Sequence, residues 1–207
     1  MTFRELSEVY HQPLFDLISQ SRAVHLQHWR GEEVQRCSLL SIKTGGCSED
    51  CAYCAQSAHY STGVEREELL SIENVLAAAR RARLQGAGRF CMDAAWRGVR
   101  DGSEKFERVL GIVREVSQLG MEVCVTLGEI GSVEARKLKA AGVTAYNHNI
   151  DTSPEFYPEI VRTHISKSSR HDCCGAGERD VGLLRRDYRH GRIGSRPSAN
   201  AGSAQQL

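Results

Sequence analysis

The stretch RFCMDAAWRGVRDGSEKFERVLGIVREVSQLGMEVCVTL, residues 89–127, decides the fold class of this chain. Its two ends, Arg89–Ala94 and Glu122–Leu127, are short apolar runs with the length and composition of β-strands. Between them, Ser103 precedes a helical pattern of apolar residues that stops at Gly120. A strand, a helix and a second strand in this order predict a βαβ unit with parallel strands.

The same order of elements continues on both sides of this unit. A strand is predicted at Val34–Ile42, followed by a helix with Ser71 at its N-cap and Gly86 as its stop. A helix that begins at Ser132, again as N-cap, leads to a strand at Val143–Asn147. The fold class is therefore α/β. Four such units fit either a partial TIM-type barrel or a doubly wound sheet, and periodicity does not choose between them.

Side-chain alternation places two cysteines on one face of the sheet. In the first strand of the quoted stretch, Phe90 and Met92 point one way, whereas Cys91 and its polar neighbours point the other way. The next strand repeats the pattern with Cys124 on the polar side. In a barrel, this polar face is the lumen. Cys37, by contrast, is interpreted as an ordinary buried thiol.

Composition predicts a globular protein with three regions. Residues 1–33 read as an N-terminal helical segment, residues 34–162 as the β/α core, and residues 163–207 as an irregular, poorly ordered tail rich in Arg, Gly and Ser. A formal net charge of +1 favours neither nucleic acid nor an anionic membrane as partner. Without a long apolar run or a secretory leader, we expect a cytoplasmic location.

The run KTGGCSEDCAYC, residues 43–54, places Cys47, Cys51 and Cys54 at C-x3-C-x2-C spacing just after the first strand. Three thiolates on one loop are typical of iron–sulfur cluster ligands, and they leave one iron open to a substrate. The alternative is zinc. Structural zinc needs a fourth ligand, and His59 is the nearest candidate.

Four blocks of sequence resemble the biotin synthase family of radical S-adenosylmethionine enzymes. The three cysteines with Tyr53 match the superfamily motif, and the resemblance extends over about residues 34–163. The blocks are SIKTGGCSEDCAYCAQSAHYSTGV, RFCMDAAWRG, EVCVTLGEI and AYNHNIDTSPEFY. The resemblance implies a TIM-type barrel, here partial, which the predicted N-terminal helices precede and the irregular C-terminal tail follows.

The resemblance also implies cofactors and their ligands. A [4Fe–4S] cluster on Cys47, Cys51 and Cys54 would cleave S-adenosylmethionine, and the 5′-deoxyadenosyl radical would take hydrogen from dethiobiotin before sulfur is inserted. The sulfur would come from a [2Fe–2S] cluster with Cys91 and Cys124 as two ligands. Cys173 is a third candidate ligand of this cluster, because the sequence around it faintly resembles a cysteine-containing strand of the family.

Three polar residues near the last predicted strand complete the expected site. The resemblance assigns Asn147 to dethiobiotin, and Asn149 and Asp151 to S-adenosylmethionine. Their alternation predicts a common face, although the same residues also suit an ordinary turn before Pro154. The family further implies a homodimer and an electron-donating reductase or flavodoxin-type protein.

The chain departs from the family pattern at two places. Asp93 stands where we expect a small residue such as Gly, and its carboxylate disfavours cluster binding at Cys91. Past residue 163, the β/α units that would close the barrel are not recognisable, so we expect impaired activity. Another radical S-adenosylmethionine enzyme and a cluster- or zinc-binding fragment remain the alternatives.

Overall fold

A computed structural model of the chain describes residues 2–29, 34–149, 152–153 and 155–163. The chain divides into two compact units between Gln35 and Arg36. Within the described ranges, none of the helices combines the length and the apolar character that crossing a bilayer requires.

The first unit contains two helices, α1 (Phe3–Tyr10) and α2 (Leu14–His28), where the sequence predicts them. Thr2 begins α1 with a capping box, in which its hydroxyl accepts the backbone N–H of Glu5 and the Glu5 carboxylate accepts the N–H of Thr2. No described residue of either helix is buried. Their apolar side chains are therefore exposed within this unit.

The second unit is built on a sheet of four parallel strands in the order β1-β2-β3-β4. The strands are β1 (Cys37–Lys43), β2 (Arg89–Ala94), β3 (Glu122–Thr126) and β4 (Val143–Tyr146). Each strand neighbours the next one in sequence, as in a (β/α) barrel, whereas a doubly wound sheet reverses direction at a switch point. The fold is therefore α/β of partial TIM type, and the four-stranded sheet is not closed into a barrel.

Helices cover one face of this sheet. They are α3 (Ile72–Leu84), α4 (Glu104–Ser117) and α5 (Ser132–Ala141), with a short α6 (Tyr157–Ile160) after the last strand. The inward residues Phe90 and Met92 of β2 join Phe106 of α4 in one apolar core, and all three are at most 1% exposed. Because the apolar side chains are buried on the helix-covered face, polar side chains and cysteines lie on the opposite face of the sheet.

Some predicted boundaries differ from the structure. The first strand begins at Cys37, three residues later than predicted, and Val34 is 84% exposed. Gly131, not Ser132, is the N-cap of α5, because the Glu134 carboxylate accepts the N–H of Gly131. Ser71 does cap α3, its hydroxyl accepting the N–H of Asn74.

Candidate functional site

The cysteine loop, residues 44–58, follows β1 at the carboxyl edge of the sheet, where parallel α/β folds place their sites. Gly45 and Gly46 both have a φ of 67°, in the left-handed region. A Cβ at Gly45 would lie 2.7 Å from the carbonyl oxygen of Glu65, so a side chain cannot be accommodated there. The loop then folds back on itself, as the N–H of Cys47 donates to the carbonyl of Gln56 at 2.9 Å.

Three partly buried thiols lie on this loop. Burial raises the pKa of Cys47, and it raises the pKa of Cys51 to about 11. A negative charge on Cys54 raises both values further, so the three sulfur atoms are close enough to interact electrostatically. Deprotonated together, these thiols would repel each other unless a cation or a cluster lay between them.

The donor set, three cysteines at C-x3-C-x2-C spacing on one loop, is typical of an iron–sulfur cluster, in which each thiolate binds a different iron. Among the residues that the structure describes, no three His, Cys, Asp or Glu side chains converge on the position of one metal ion. His59, the fourth ligand that zinc would need, instead places its Nε2 3.1 Å from the carbonyl oxygen of Ser48.

Cys91 and Cys124 lie directly opposite each other on β2 and β3. Burial raises the pKa of Cys91, and burial together with the charge of Cys91 raises the pKa of Cys124 to about 12. An ion pair between Arg89 and Glu122, at 2.7 Å, lies one row away on the same face. The predicted common face of the two cysteines is thus present, and the pair could supply two ligands to a second cluster.

The surroundings of this pair have two further features. Asp93 lies on the same face, and its charge raises the pKa of both thiols, the effect expected of a carboxylate at this position. Cys37 also lies on this face, opposite Arg89. It is exposed, so its interpretation as a buried thiol is wrong. Cys37 is the first residue of β1, which is an edge strand of the sheet.

The predicted ligand-binding asparagines lie beyond the sheet. Strand β4 ends at Tyr146, and Asn147 and Asn149 follow it in an irregular, exposed segment. Their expected alternation along a strand is therefore not observed. Tyr146 is the last residue of the strand, and its hydroxyl accepts the N–H of Leu127 and donates to the carbonyl of Gly128 at 2.6 Å. Asp151 and Cys173 lie outside the described residues.

One group of residues at the site was not predicted from the sequence. The carboxylate of Asp50 accepts hydrogen bonds from the backbone N–H groups of Arg162 and Thr163 at 2.9 and 3.0 Å. Partial burial would raise the pKa of Asp50, but these bonds outweigh it and lower the pKa. No local pattern could reveal this contact, because its partners are more than 110 residues apart.

Comparison with known proteins identifies the family. The model of the family described as Radical SAM superfamily matches residues 41–171. This range includes the end of β1, the cysteine loop, and the whole of β2, β3 and β4. The chain belongs to the radical SAM superfamily. Members of this superfamily combine a [4Fe–4S] cluster with S-adenosylmethionine, in agreement with the donor set of the loop.

Within the radical SAM superfamily, the chain is similar to proteins named biotin synthase. It is 54% identical to one from Azoarcus sp. (strain BH72) over 163 residues, covering 79% of this chain and 49% of the relative. It is 48% identical to one from Synechococcus sp. (strain JA-3-3Ab) over 195 residues, 86% of this chain and 63% of the relative. A third, from Myxococcus xanthus (strain DK1622), is 53% identical over 77% of this chain and 46% of the relative.

These relatives confirm the resemblance to biotin synthases that the four sequence blocks indicate. The chain spans about half the length of the curated relatives it matches.

Proposed function

We propose that this chain is the cluster-binding part of a biotin synthase, which inserts sulfur into dethiobiotin to form biotin. The observation that carries the proposal is the arrangement of five cysteines. Three lie on one loop at the carboxyl edge of the sheet, and two lie side by side on the sheet's polar face. A single-cluster enzyme has no need of the second group.

The loop provides the first cluster site. Cys47, Cys51 and Cys54 would hold a [4Fe–4S] cluster and leave one iron free for the amino and carboxylate groups of S-adenosylmethionine. When bound, this cluster supplies the electron that cleaves the sulfonium and so starts hydrogen abstraction from dethiobiotin. The protein's part is to orient the ligands and to exclude water from the reactive species.

The sheet provides the second site. Cys91 and Cys124 would hold a [2Fe–2S] cluster, the proposed source of sulfur, from two adjacent strands. Both cysteines lie on the polar face, away from the helix-covered core; Cys91 is half-buried and Cys124 is buried. Cys173 is proposed as a further ligand from the sequence resemblance alone.

The segment after β4 provides polar groups for the organic ligands. The Asn147 amide suits the ureido ring of dethiobiotin, since it both donates and accepts hydrogen bonds. Asn149 and Asp151 suit the amino-acid and ribose groups of S-adenosylmethionine in the same way. The exposure of both asparagines leaves their amides free to meet a ligand.

The proposed partners follow from the same family. A reductase or flavodoxin-type protein would deliver the electron, and the active form would be a cytoplasmic homodimer.

Anaerobic reconstitution with iron and sulfide tests the proposal. After reduction, electron paramagnetic resonance should show a [4Fe–4S] signal that S-adenosylmethionine perturbs, and Cys51→Ala should abolish that signal. Cys37→Ala is the matched control, because Cys37 is exposed and away from the loop, and it should leave the signal unchanged. Retained zinc without any cluster would refute the enzyme class. Biotin formation from dethiobiotin then tests the substrate.

A further inference from the structure

The chain that follows β4 returns to the cysteine loop. Strands β1 and β4 lie at opposite edges of the sheet. Nevertheless, the carbonyl of Ile160, at the end of α6, accepts the N–H of Ala52 at 2.9 Å. With the bonds from Arg162 and Thr163 to Asp50, this contact places hydrogen bonds on both sides of Cys51.

The Thr163 hydroxyl lies between two carboxylates of the loop. It is hydrogen-bonded to Glu49, and its oxygen is 2.9 Å from the Oδ1 of Asp50. Glu49 is buried, at 6% exposure, and its other oxygen forms an ion pair with the Nε of Arg97 at 2.9 Å. Arg97 follows β2, so three segments of the chain meet at this point.

Carboxylates beside three thiols are electrostatically costly, because all of these groups repel one another when ionised. The cost is offset here by the donors that surround the two carboxylates: two backbone N–H groups, the Thr163 hydroxyl and Arg97. Hydrogen bonds of this kind fix the position of a site's backbone when its geometry must be held closely.

We propose that Thr163 is a positioning residue for the cluster site: with Glu49 and Asp50 it fixes the backbone around Cys51 in the geometry that a cluster requires. This inference rests on the proposed function for the identity of the cluster. The hydrogen bonds of Thr163 with Glu49 and Asp50 do not depend on a bound cluster. The role of Thr163 and the proposed function can therefore be tested separately.

The test compares three variants of the full chain. Thr163→Val keeps the shape of the side chain but leaves Glu49 and Asp50 facing a methyl group. Thr163→Ser restores the hydroxyl. Thr144→Val is the matched control, because it removes a threonine hydroxyl that donates to the carbonyl of Val123 within the sheet and does not touch the loop.

Two measurements are made on each variant. Hydrogen–deuterium exchange of residues 47–57 is followed in the apo-protein, and the rate of iron loss to a chelator is followed after reconstitution. Thr163→Val should increase both rates about tenfold, the factor expected when one charge-assisted hydrogen bond is lost. Thr163→Ser and Thr144→Val should match the wild type in both measurements.

Each outcome decides the inference. Unchanged exchange and iron loss in Thr163→Val would overturn it, as would an equal effect of Thr144→Val, which would indicate general destabilisation. If Thr163→Val does not fold, Asp50→Asn takes its place, since it keeps the shape and should give a smaller increase in the same rates. If even the wild type takes up no cluster, the proposed function fails, and exchange alone decides the role of Thr163.

Discussion

Cys91 and Cys124 are register partners on adjacent parallel strands, so their thiols lie side by side on one face of the sheet. Two sulfur donors on neighbouring strands share a rigid backbone, since the ladder of hydrogen bonds fixes both strands. This relationship distinguishes them from the loop cysteines, which depend on glycine turns and on side-chain contacts for their position.

The first prediction concerns whether the two proposed cluster sites bind iron independently of each other. Cys124→Ala should prevent binding of the proposed second cluster, and it should leave the proposed loop cluster and its resonance signal intact, because the pair and the loop use separate donors. Iron and sulfide analysis per chain provides the measurement. Cys37→Ala should leave both contents unchanged, and a loss of the loop cluster in Cys124→Ala would show that the two sites are not independent.

The second prediction concerns Asp93. Its charge raises the pKa of Cys91 and Cys124, so Asp93→Asn should lower both pKa values and increase the thiolate fraction at a given pH. Alkylation of these two cysteines by iodoacetamide at pH 8, followed by mass spectrometry, should be faster in the variant. Asp101→Asn, where an exposed carboxylate pairs with Lys137, serves as control and should not change the rate.

The third prediction concerns the buried carboxylate of Glu134. It accepts the N–H groups of Asp101 and Gly131, both at 2.9 Å. Burial alone would raise its pKa, but these bonds and the charge of Arg100 lower the pKa below its ordinary 4.5. Glu134→Gln should therefore reduce the free energy of unfolding by about 1–3 kcal/mol at pH 7, measured in urea.

The pH dependence of this effect has a definite sign. A carboxyl whose folded pKa is depressed stabilises the fold above its unfolded pKa, and that stabilisation is lost as the pH falls through the folded value. The difference between wild type and Glu134→Gln should therefore shrink below pH 4.5. Glu104→Gln, at the exposed first position of α4, should change stability by less than about 0.5 kcal/mol. A difference that grows in acid would contradict the assignment.

The fourth prediction concerns the core under the site. Phe106 of α4 is fully buried against the sheet, and Phe106→Ala should cost about 3–5 kcal/mol of stability through lost contacts and a cavity. Phe156→Ala removes the same atoms from a side chain that is 55% exposed, and it should cost far less. Denaturant unfolding of both variants compares them directly. Equal losses would mean that α4 does not hold the sheet in place.

Much of the fold could be predicted because the signals are local. Alternation in β2 and β3 correctly placed Phe90 and Met92 in the core and Cys91 with Cys124 on the other face. The choice between barrel and doubly wound sheet could not be made this way. That choice depends on which strands are neighbours in the sheet, and the periodicity of apolar residues within a single strand or helix does not indicate it.

The expectations that the structure corrects concern the ends of two elements. Strand β4 ends at Tyr146, so Asn147 and Asn149, which follow it, do not alternate on a strand. Ser132 looks like an N-cap, yet the Glu134 carboxylate accepts the N–H of Gly131, and Gly131 is the N-cap instead. The contact of Asp50 with Thr163, by contrast, joins residues 113 positions apart, and no local pattern predicts such a contact.

The bond between Asp50 and Thr163 also has a consequence for biogenesis. The two residues are 113 positions apart, so a ribosome that adds 5–20 residues per second needs about 6–23 seconds between them. Until Thr163 has been added, the backbone around Cys51 lacks the hydrogen bonds that Arg162 and Thr163 donate to Asp50. The loop therefore reaches its final set of contacts only late in synthesis.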